Sequence, residues 1–287
     1  MKGLIKRNLL IFFKDKATAF FSLFGALIVL VLYIFFLGDL VAQDVAHLGD
    51  QAKPFVFAWV FSGMISITSF TATFAAFASM VSDKMYKTEK DFVSSPLPRM
   101  QITFSYWISA IVVGTVMSIA ILIFSLIYLA ILGMEAYSFV TILEILGLIL
   151  LSTISNTAVL LVLSMFINSV NTFSAFTAIF SASLGFFSGT YVQIGVLSSF
   201  MQWVVKVMPV SHSAGLFRKV MLKSFFEGKA FEGAPPSVIE SARKSLGVDF
   251  YFGNNIFPVW ASILILIVVF IIFITIAVLL RMRKKKN

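Results

Sequence analysis

Residues 83–99 hold the densest group of side chains that could bind a partner. Their sequence, DKMYKTEKDFVSSPLPR, places acidic and basic residues side by side. Residues 55–82 before it and residues 100–134 after it contain no Asp, Glu, Lys or Arg. A run of about 20 apolar residues crosses the roughly 30 Å hydrocarbon core of a bilayer. The segment is therefore predicted to be a water-facing loop between two membrane spans.

The first part of this loop is predicted to form a short exposed helix. Residues 84–93 contain neither Gly nor Pro and are rich in helix-forming types. Pro96 and Pro98 end the helix, because proline lacks an amide donor and disfavours helical geometry in the residue before it. The candidate contact residues are Asp83, Lys84, Met85, Tyr86, Lys87, Thr88, Glu89, Lys90, Asp91 and Phe92. The alternative is a solvated charged turn that only sets the membrane topology.

Few other side chains could perform chemistry. The chain has no cysteine and two histidines, His47 and His212, which leaves no disulfide, thiolate site or multi-histidine metal centre. The sequence contains no phosphate-binding loop, HExxH or GxSxG motif. No catalytic residue and no metal site are predicted.

Three residues outside the loop are candidates for a functional role. Glu144 is the one acidic residue inside an otherwise apolar span, about six residues or roughly 9 Å from its outer end. Its carboxylate could contact a substrate or make a structural hydrogen bond, and both interpretations stay open. Pro209 ends a long apolar run, and His212 beside it is expected to be a surface or capping group rather than a ligand.

The composition is that of an integral membrane protein. Hydrophobic residues make up 60% of the chain and charged residues 12%, against about 25% charged residues in soluble domains. The mean hydropathy is +1.00. The net charge of +9 comes from basic residues gathered at span ends, where anionic lipids and insertion rules explain them, so nucleic-acid binding is not expected.

An all-α fold with six membrane spans is predicted. Residues 1–16 form a basic amphipathic helix that lies in the membrane interface, and residues 17–282 form the six-span domain. The spans are expected at residues 17–37, 55–82, within 101–132, 138–167, 172–187 and 256–280. The loop 39–54 is poor in Lys and Arg, whereas the N-terminus and the tail 283–287 are basic, which places both termini in the cytoplasm.

Residues 188–255 are predicted to form an extracellular region with re-entrant helices. The apolar stretch after the fifth span is too long for one helix and too short for two more spans. We expect short helices near 197–207 and 212–223 that dip into the membrane, where protein or water must cover the broken backbone. A helix at 236–246 would belong to a small cap.

The motifs resemble those of the permease subunits of type-2 ATP-binding-cassette (ABC) exporters, and the similarity extends over nearly the whole chain. In the loop the matching residues are Asp83, Lys84, Thr88, Glu89, Ser95, Pro96, Leu97, Arg99 and Ile102. In the later segment they are Met208, Pro209, Val210, Ser211, His212, Leu216 and Arg218. The chain departs from the family pattern at Lys87, where a glycine is often found.

The resemblance implies that residues 83–99 are the coupling loop that docks on a separate ABC ATPase subunit, present in two copies. That partner would bind ATP and Mg²⁺, whereas this chain would have no cofactor and no enzymatic activity. A second permease chain, in a homodimer or a heterodimer, and a bacterial plasma membrane are also implied. The exported cargo would be amphipathic or hydrophobic, such as a peptide, toxin, drug or lipid. A polysaccharide or glycolipid permease and a partner-independent channel or scaffold remain as alternatives.

Overall fold

A computed structural model describes residues 1–94, 97–252 and 255–283 of the chain. Almost all of these residues are helical, and two short strands, Tyr251–Phe252 and Asn255–Ile256, pair antiparallel. This confirms the predicted all-α class. Residues 284–287 of the predicted basic tail lie outside the described residues. The helices, numbered in chain order, are α1 Lys2–Lys14, α2 Lys16–Ser22, α3 Phe24–Leu32, α4 Gly38–Asp44, α5 Ala52–Ala76, α6 Ala78–Met85, α7 Thr88–Ser94, α8 Arg99–Ile131, α9 Phe139–Phe166, α10 Val170–Phe187, α11 Ser199–Val207, α12 Pro209–Met221, α13 Lys223–Phe226, α14 Pro236–Ser245 and α15 Val259–Arg283.

Six helical stretches among the described residues are long and apolar enough to cross a membrane, which confirms the predicted number of spans. They are Phe24–Gln43, Leu48–Met85, Arg99–Ile131, Phe139–Phe166, Val170–Phe187 and Val259–Met282. An even number of spans brings α1 and the end of α15 to the same end of the bundle. That end also holds α7, and we call it the α7 end. The opposite end, which holds α12, α13 and α14, is the cap end.

The second span is the centre of the bundle. Helix α5 is buried along nearly its whole length and packs against α8, α9 and α12. Gly114 of α8 allows a close approach to α5 and α9, because a Cβ atom there would collide with the side chains of Thr73 and Thr153. Small residues commonly allow helices to pack closely in a membrane, where the hydrophobic effect does not drive their association.

Several polar side chains of α5 form hydrogen bonds to neighbouring elements. Ser66 Oγ donates to the carbonyl of Val210 at 3.0 Å, and Asn156 Nδ2 of α9 donates to Ser69 Oγ at 3.0 Å. Trp59 Nε1 donates to the carbonyl of Leu246 at 2.8 Å. These bonds tie the central helix to α9, to α12 and to the loop after α14.

The first span differs from the uninterrupted helix predicted at residues 17–37. The helix breaks at Leu23, between α2 and α3, and a π-helical turn, Tyr33–Leu37, leads into α4. Gly38 was expected to end the span, yet it continues the helix by donating its amide to the carbonyl of Tyr33. A Cβ atom at Gly38 would collide with that same carbonyl oxygen, so the π turn requires glycine.

The two short helices after the fifth span are present, but the second begins at Pro209 rather than at residue 212. Pro209 is therefore the first residue of α12, where its missing amide costs no helical hydrogen bond. Helix α12 is largely buried against α5, α9 and α15, which covers the broken backbone at both of its ends. Helix α11 instead leaves the apolar side chains of Phe200, Trp203 and Val207 exposed.

Candidate coupling site

The predicted single helix over residues 84–93 is wrong, because the chain turns in the middle of it. Helix α6 ends at Met85, and α7 begins at Thr88. Lys87 between them has a φ of +63°, the left-handed conformation that favours glycine. This residue occupies the position after a helix C-cap at which glycine is most common. The turn separates two helices that different contacts hold in place.

Asp83, in α6, is buried in an ion pair with Arg7 of helix α1. Both Asp83 carboxylate oxygens accept hydrogen bonds from Arg7, from Nη1 and Nη2, at 2.7 Å each. Tyr106 of α8 donates its hydroxyl to the same carboxylate at 2.6 Å. Hydrogen bonding to the Asp83 carboxylate raises the pKa of Arg7 above its usual value, because it stabilises the charged guanidinium. The contacts of this carboxylate join α1, α6 and α8.

Lys84 fixes the other side of α6. Its Nζ donates to the carbonyls of Ser164, Met165 and Ile167 at 2.9, 3.0 and 3.0 Å. These carbonyls lie at the C-terminus of α9, where the last turn of a helix lacks partners and carries partial negative charge. Lys84 was predicted to lie in a short exposed helix as a candidate contact residue. In the structure it is half-buried, and its amine caps the end of a membrane span.

Helix α7 is held by the end of the last span. Arg281 Nη2 donates to Glu89 Oε1 at 2.5 Å, and Arg281 Nε donates to Thr103 Oγ1 at 2.6 Å. The Arg7 guanidinium also lies over the ring of Phe92, 5.1 Å from its centroid. These contacts link α7 to α15, α8 and α1.

The other described side chains of the predicted loop are mostly exposed. Met85, Tyr86, Lys87 and Asp91 are exposed, and Thr88 is half-buried. The side chain of Lys90 and residues Ser95 and Pro96 lie outside the described residues. The loop thus has an inner side of anchoring residues and an outer side at the α7 end. Such an arrangement can transmit a displacement of α7 to four spans, which are the second, third, fourth and sixth.

The structure does not bring the other predicted residues near this loop. Glu144, Pro209 and His212 lie at the cap end. His212 is buried rather than a surface group, and its Nε2 is 2.8 Å from the carbonyl of Lys206 at the end of α11. Its Nδ1 is 3.2 Å from Ser262 Oγ of α15. Its predicted capping role is consistent with these contacts.

For Glu144, the described residues provide no structural hydrogen bond, so contact with a substrate stays a prediction. Its side chain is exposed, and it has no hydrogen-bond or ion-pair partner among the described residues. It lines a cavity of about 500 Å³ between α9, α12 and α15. A separate cleft of about 550 Å³ lies on the other side of the bundle, between the first, second and fifth spans.

Sequence reasoning missed the partners that anchor the loop. Arg7 and Arg281 were read only as basic residues at span ends, and Tyr106 only as part of an apolar span. One signal could have pointed to them: Asp83 and Lys84 directly follow a span of 28 uncharged residues, where charged groups need partners.

Arg218 at the cap end was also underestimated. It is fully buried, and its Nη2 donates to the carbonyl of Gly189 at 2.9 Å and to Thr190 Oγ1 at 3.3 Å. Its guanidinium lies 5.1 Å from the ring centroid of Trp59. The residue ties α12 to the turn after the fifth span and to α5, so its part in the motif is structural in this fold.

The chain is similar to a known family of membrane proteins. A model of the ABC-2 type transporter family matches residues 1–222, which is more than half of the chain and includes residues 83–99 of the candidate coupling loop. No curated protein matches the chain.

Proposed function

The chain belongs to the ABC-2 type transporter family, and from this premise we propose that it is the permease of an exporter driven by a separate ATPase. Members of this family are the transmembrane parts of ABC transporters and lack the ATPase itself. The proposal adds the direction of transport, the two ATPase copies and the class of cargo. It also places the α7 end in the cytoplasm.

The anchoring of the loop is the observation that supports this function best. Asp83, Lys84 and Glu89 each pair with a different element of the bundle. Between these anchors, Tyr86 and Lys87 remain exposed at the surface that a partner would contact. A loop that only set the topology would need no such connections. When ATP binding moves the ATPase subunits, the exposed turn moves with them, and the anchors pass the displacement to the spans.

The cleft between the first, second and fifth spans supports a pathway shared with a second copy of the chain. Its wall mixes hydroxyl groups with aromatic rings and small residues. Examples are Thr71, Phe173, Thr177 and Ser181. The first and fifth spans are mostly unburied in the single chain, so a second chain can close the cleft. Such a wall suits an amphipathic or hydrophobic cargo better than a strongly anionic one.

The test begins with a pull-down of the tagged chain from its native membrane in mild detergent. We expect a stoichiometric ATPase subunit and ATP hydrolysis in the purified complex. Lys87→Glu, on the exposed turn, should reduce retention of the ATPase without changing membrane insertion. Lys14→Glu, an equal charge change on an exposed residue of α1, is the matched control.

Transport is then measured after reconstitution into proteoliposomes. A fluorescent amphipathic peptide should accumulate on the far side of the membrane only when ATP is supplied on the side of α7. A purified chain that has no partner and is indifferent to nucleotide would contradict the proposal and favour a channel or scaffold. Transport of a polysaccharide but not of the peptide would correct the class of cargo alone.

A further inference from the structure

The cavity that contains Glu144 has an apolar floor and a charged rim. Its floor includes Leu148 and Leu151 of α9 and Ile263 of α15. Its charged lining residues come from four elements at the cap end, and they are Glu144, Lys219, Lys223, Glu227 and Arg243. Its volume of about 500 Å³ is within the range of small-molecule sites. A ligand that fits both parts must be amphipathic.

The cavity opens on a side of the bundle that faces lipid. On α9, the side chains of Leu143 and Leu150 are exposed, and on α15 those of Trp260 and Leu264 are exposed. Both helices cross the membrane, so these apolar surfaces lie against acyl chains. The rim is close to the cap end of α9, because Glu144 is five residues from Phe139, or roughly 8 Å along the axis. Lipid headgroups reach this depth.

Two cationic side chains on the rim, Lys219 and Arg243, are held by one buried carboxylate. Lys219 Nζ and Arg243 Nε each donate to the carboxylate of Asp249, at 2.6 Å. Asp249 is buried, whereas about 29% of the Lys219 side chain and 28% of the Arg243 side chain remain exposed. The buried carboxylate thus orients two cations whose remaining donors are available to the cavity. Lys223, one turn after Lys219, adds an exposed third cation.

The two carboxylates of the rim have no comparable ion pair among the described residues. Glu144 and Glu227 are exposed, and neither side chain has a hydrogen-bond or ion-pair partner among the residues that the structure describes. A carboxylate at the edge of the hydrocarbon region is costly unless it is paired. A cationic group with hydrogen-bond donors would satisfy Glu144 and Glu227 together.

We propose that this cavity binds a phospholipid whose headgroup carries both a phosphate and a primary amine, as in phosphatidylethanolamine. The phosphate accepts hydrogen bonds from Lys219, Lys223 and Arg243, and the amine donates to Glu144 and Glu227. One acyl chain follows the apolar floor toward the middle of the membrane. A choline headgroup lacks the amine hydrogens, and a purely anionic headgroup leaves both carboxylates unpaired, so both bind more weakly. The inference uses only the membrane location of the chain and does not rest on the proposed transport activity.

The experiment measures lipid retention by the purified chain. The protein is reconstituted with equal amounts of phosphatidylethanolamine, phosphatidylcholine and phosphatidylglycerol, extracted in mild detergent, and analysed by native mass spectrometry. We expect phosphatidylethanolamine to be the lipid retained. Glu144→Gln should lower its retention roughly tenfold, because one charge-assisted hydrogen bond to the amine is lost.

Glu135→Gln is the matched control, since Glu135 is an exposed carboxylate on the turn before α9 and does not line the cavity. A second readout is the melting temperature in detergent. Added phosphatidylethanolamine should raise it for the wild-type chain and the control, and much less for Glu144→Gln, which shows that a folded variant has lost the site.

Several results would overturn the proposal. One is equal retention of the three lipids, and another is retention that Glu144→Gln leaves unchanged. Equal binding of soluble glycerophosphoethanolamine would show that the acyl chain plays no part. Cross-linking of a second copy of the chain through α9 and α15 would show that protein, and not lipid, covers this face.

Discussion

At the scale of single residues, Asp83 is central because its carboxylate meets groups from two other elements. We predict that Asp83→Asn lowers the free energy of unfolding by about 2–3 kcal/mol. This is below the 3–5 kcal/mol typical of a fully buried pair, because the Arg7 side chain is 33% exposed. The loss should appear in thermal unfolding of the chain in detergent. Transport coupled to ATP hydrolysis should fall as well.

The matched control for Asp83 is Asp39→Asn. Asp39 also forms an ion pair, with Lys53 at 2.9 Å, but both side chains are mostly exposed. Exposed pairs contribute about 0–1 kcal/mol, so this variant should unfold almost as the wild type does. Equal effects of the two substitutions would mean that the pair with Arg7 does not hold α1 to the bundle.

Lys87 offers a second test at this scale, because its backbone and its side chain have separable roles. Its left-handed conformation costs a non-glycine residue about 1–2 kcal/mol. We therefore predict that Lys87→Gly leaves the turn between α6 and α7 intact and stabilises it by up to about 1 kcal/mol, after the added chain entropy is subtracted. Lys87→Val, which is β-branched, should destabilise it.

Limited proteolysis at the turn and hydrogen exchange of residues 84–92 distinguish these outcomes. The glycine variant should be cleaved no faster than the wild type, and the valine variant faster. Faster cleavage of the glycine variant would show that the φ of +63° is not the conformation of this turn in solution.

At the scale of elements, the ion pair between Glu89 of α7 and Arg281 of α15 should make these two helices move together. Arg281 is the shared donor to Glu89 and to Thr103. We predict that Glu89→Gln and Arg281→Gln each lower coupled transport, and that the double variant is no worse than the poorer single variant. Such a result gives a coupling free energy of about 0.5–3 kcal/mol in a double-mutant cycle. The measurement is the ratio of transported cargo to ATP hydrolysed.

Additive effects in that cycle would contradict a direct contact between α7 and the last span. Membrane insertion and expression of each variant are measured as controls. A change in either would indicate damage to the fold rather than a loss of coupling between α7 and the last span. Thr103→Val removes the second hydrogen bond of Arg281 without changing any charge, and so tests its contribution.

At the scale of the whole molecule, the cleft between the first, second and fifth spans is the expected meeting surface of two chains. Because the sequence has no cysteine, any disulfide between two copies of a single-cysteine variant must form through the introduced residue. We predict that Ala178→Cys, on the exposed side of α10 in the cleft, forms a disulfide-linked dimer under mild oxidation in native membranes. Ile271→Cys, on the exposed face of α15, should remain monomeric and serves as the control.

Dimers that form through residue 271 but not through residue 178 would place the second copy on the opposite face. In that case the pathway would not follow the cleft. A heterologous second permease would leave both variants without homodimers, and a pull-down would identify it.

The sequence alone determined the fold class, the number of spans and the place of the loop at residues 83–99. These features follow from the lengths of apolar runs and from where charges interrupt them, which are local properties of the chain. The start of α12 at Pro209 was misplaced by three residues. That error arose because a proline can end one helix and begin the next.

Only the tertiary structure decided which residues of the loop face inward and which are exposed. Arg7 and Asp83 are 76 residues apart, and Lys84 reaches a carbonyl 80 residues away, so no local pattern reveals either contact. The same holds for Glu144, whose surroundings come from α12, α14 and α15 as well as from its own helix. Apolar periodicity shows that a segment is buried in a membrane, but a polar side chain acquires its role from the groups that packing places within hydrogen-bond distance.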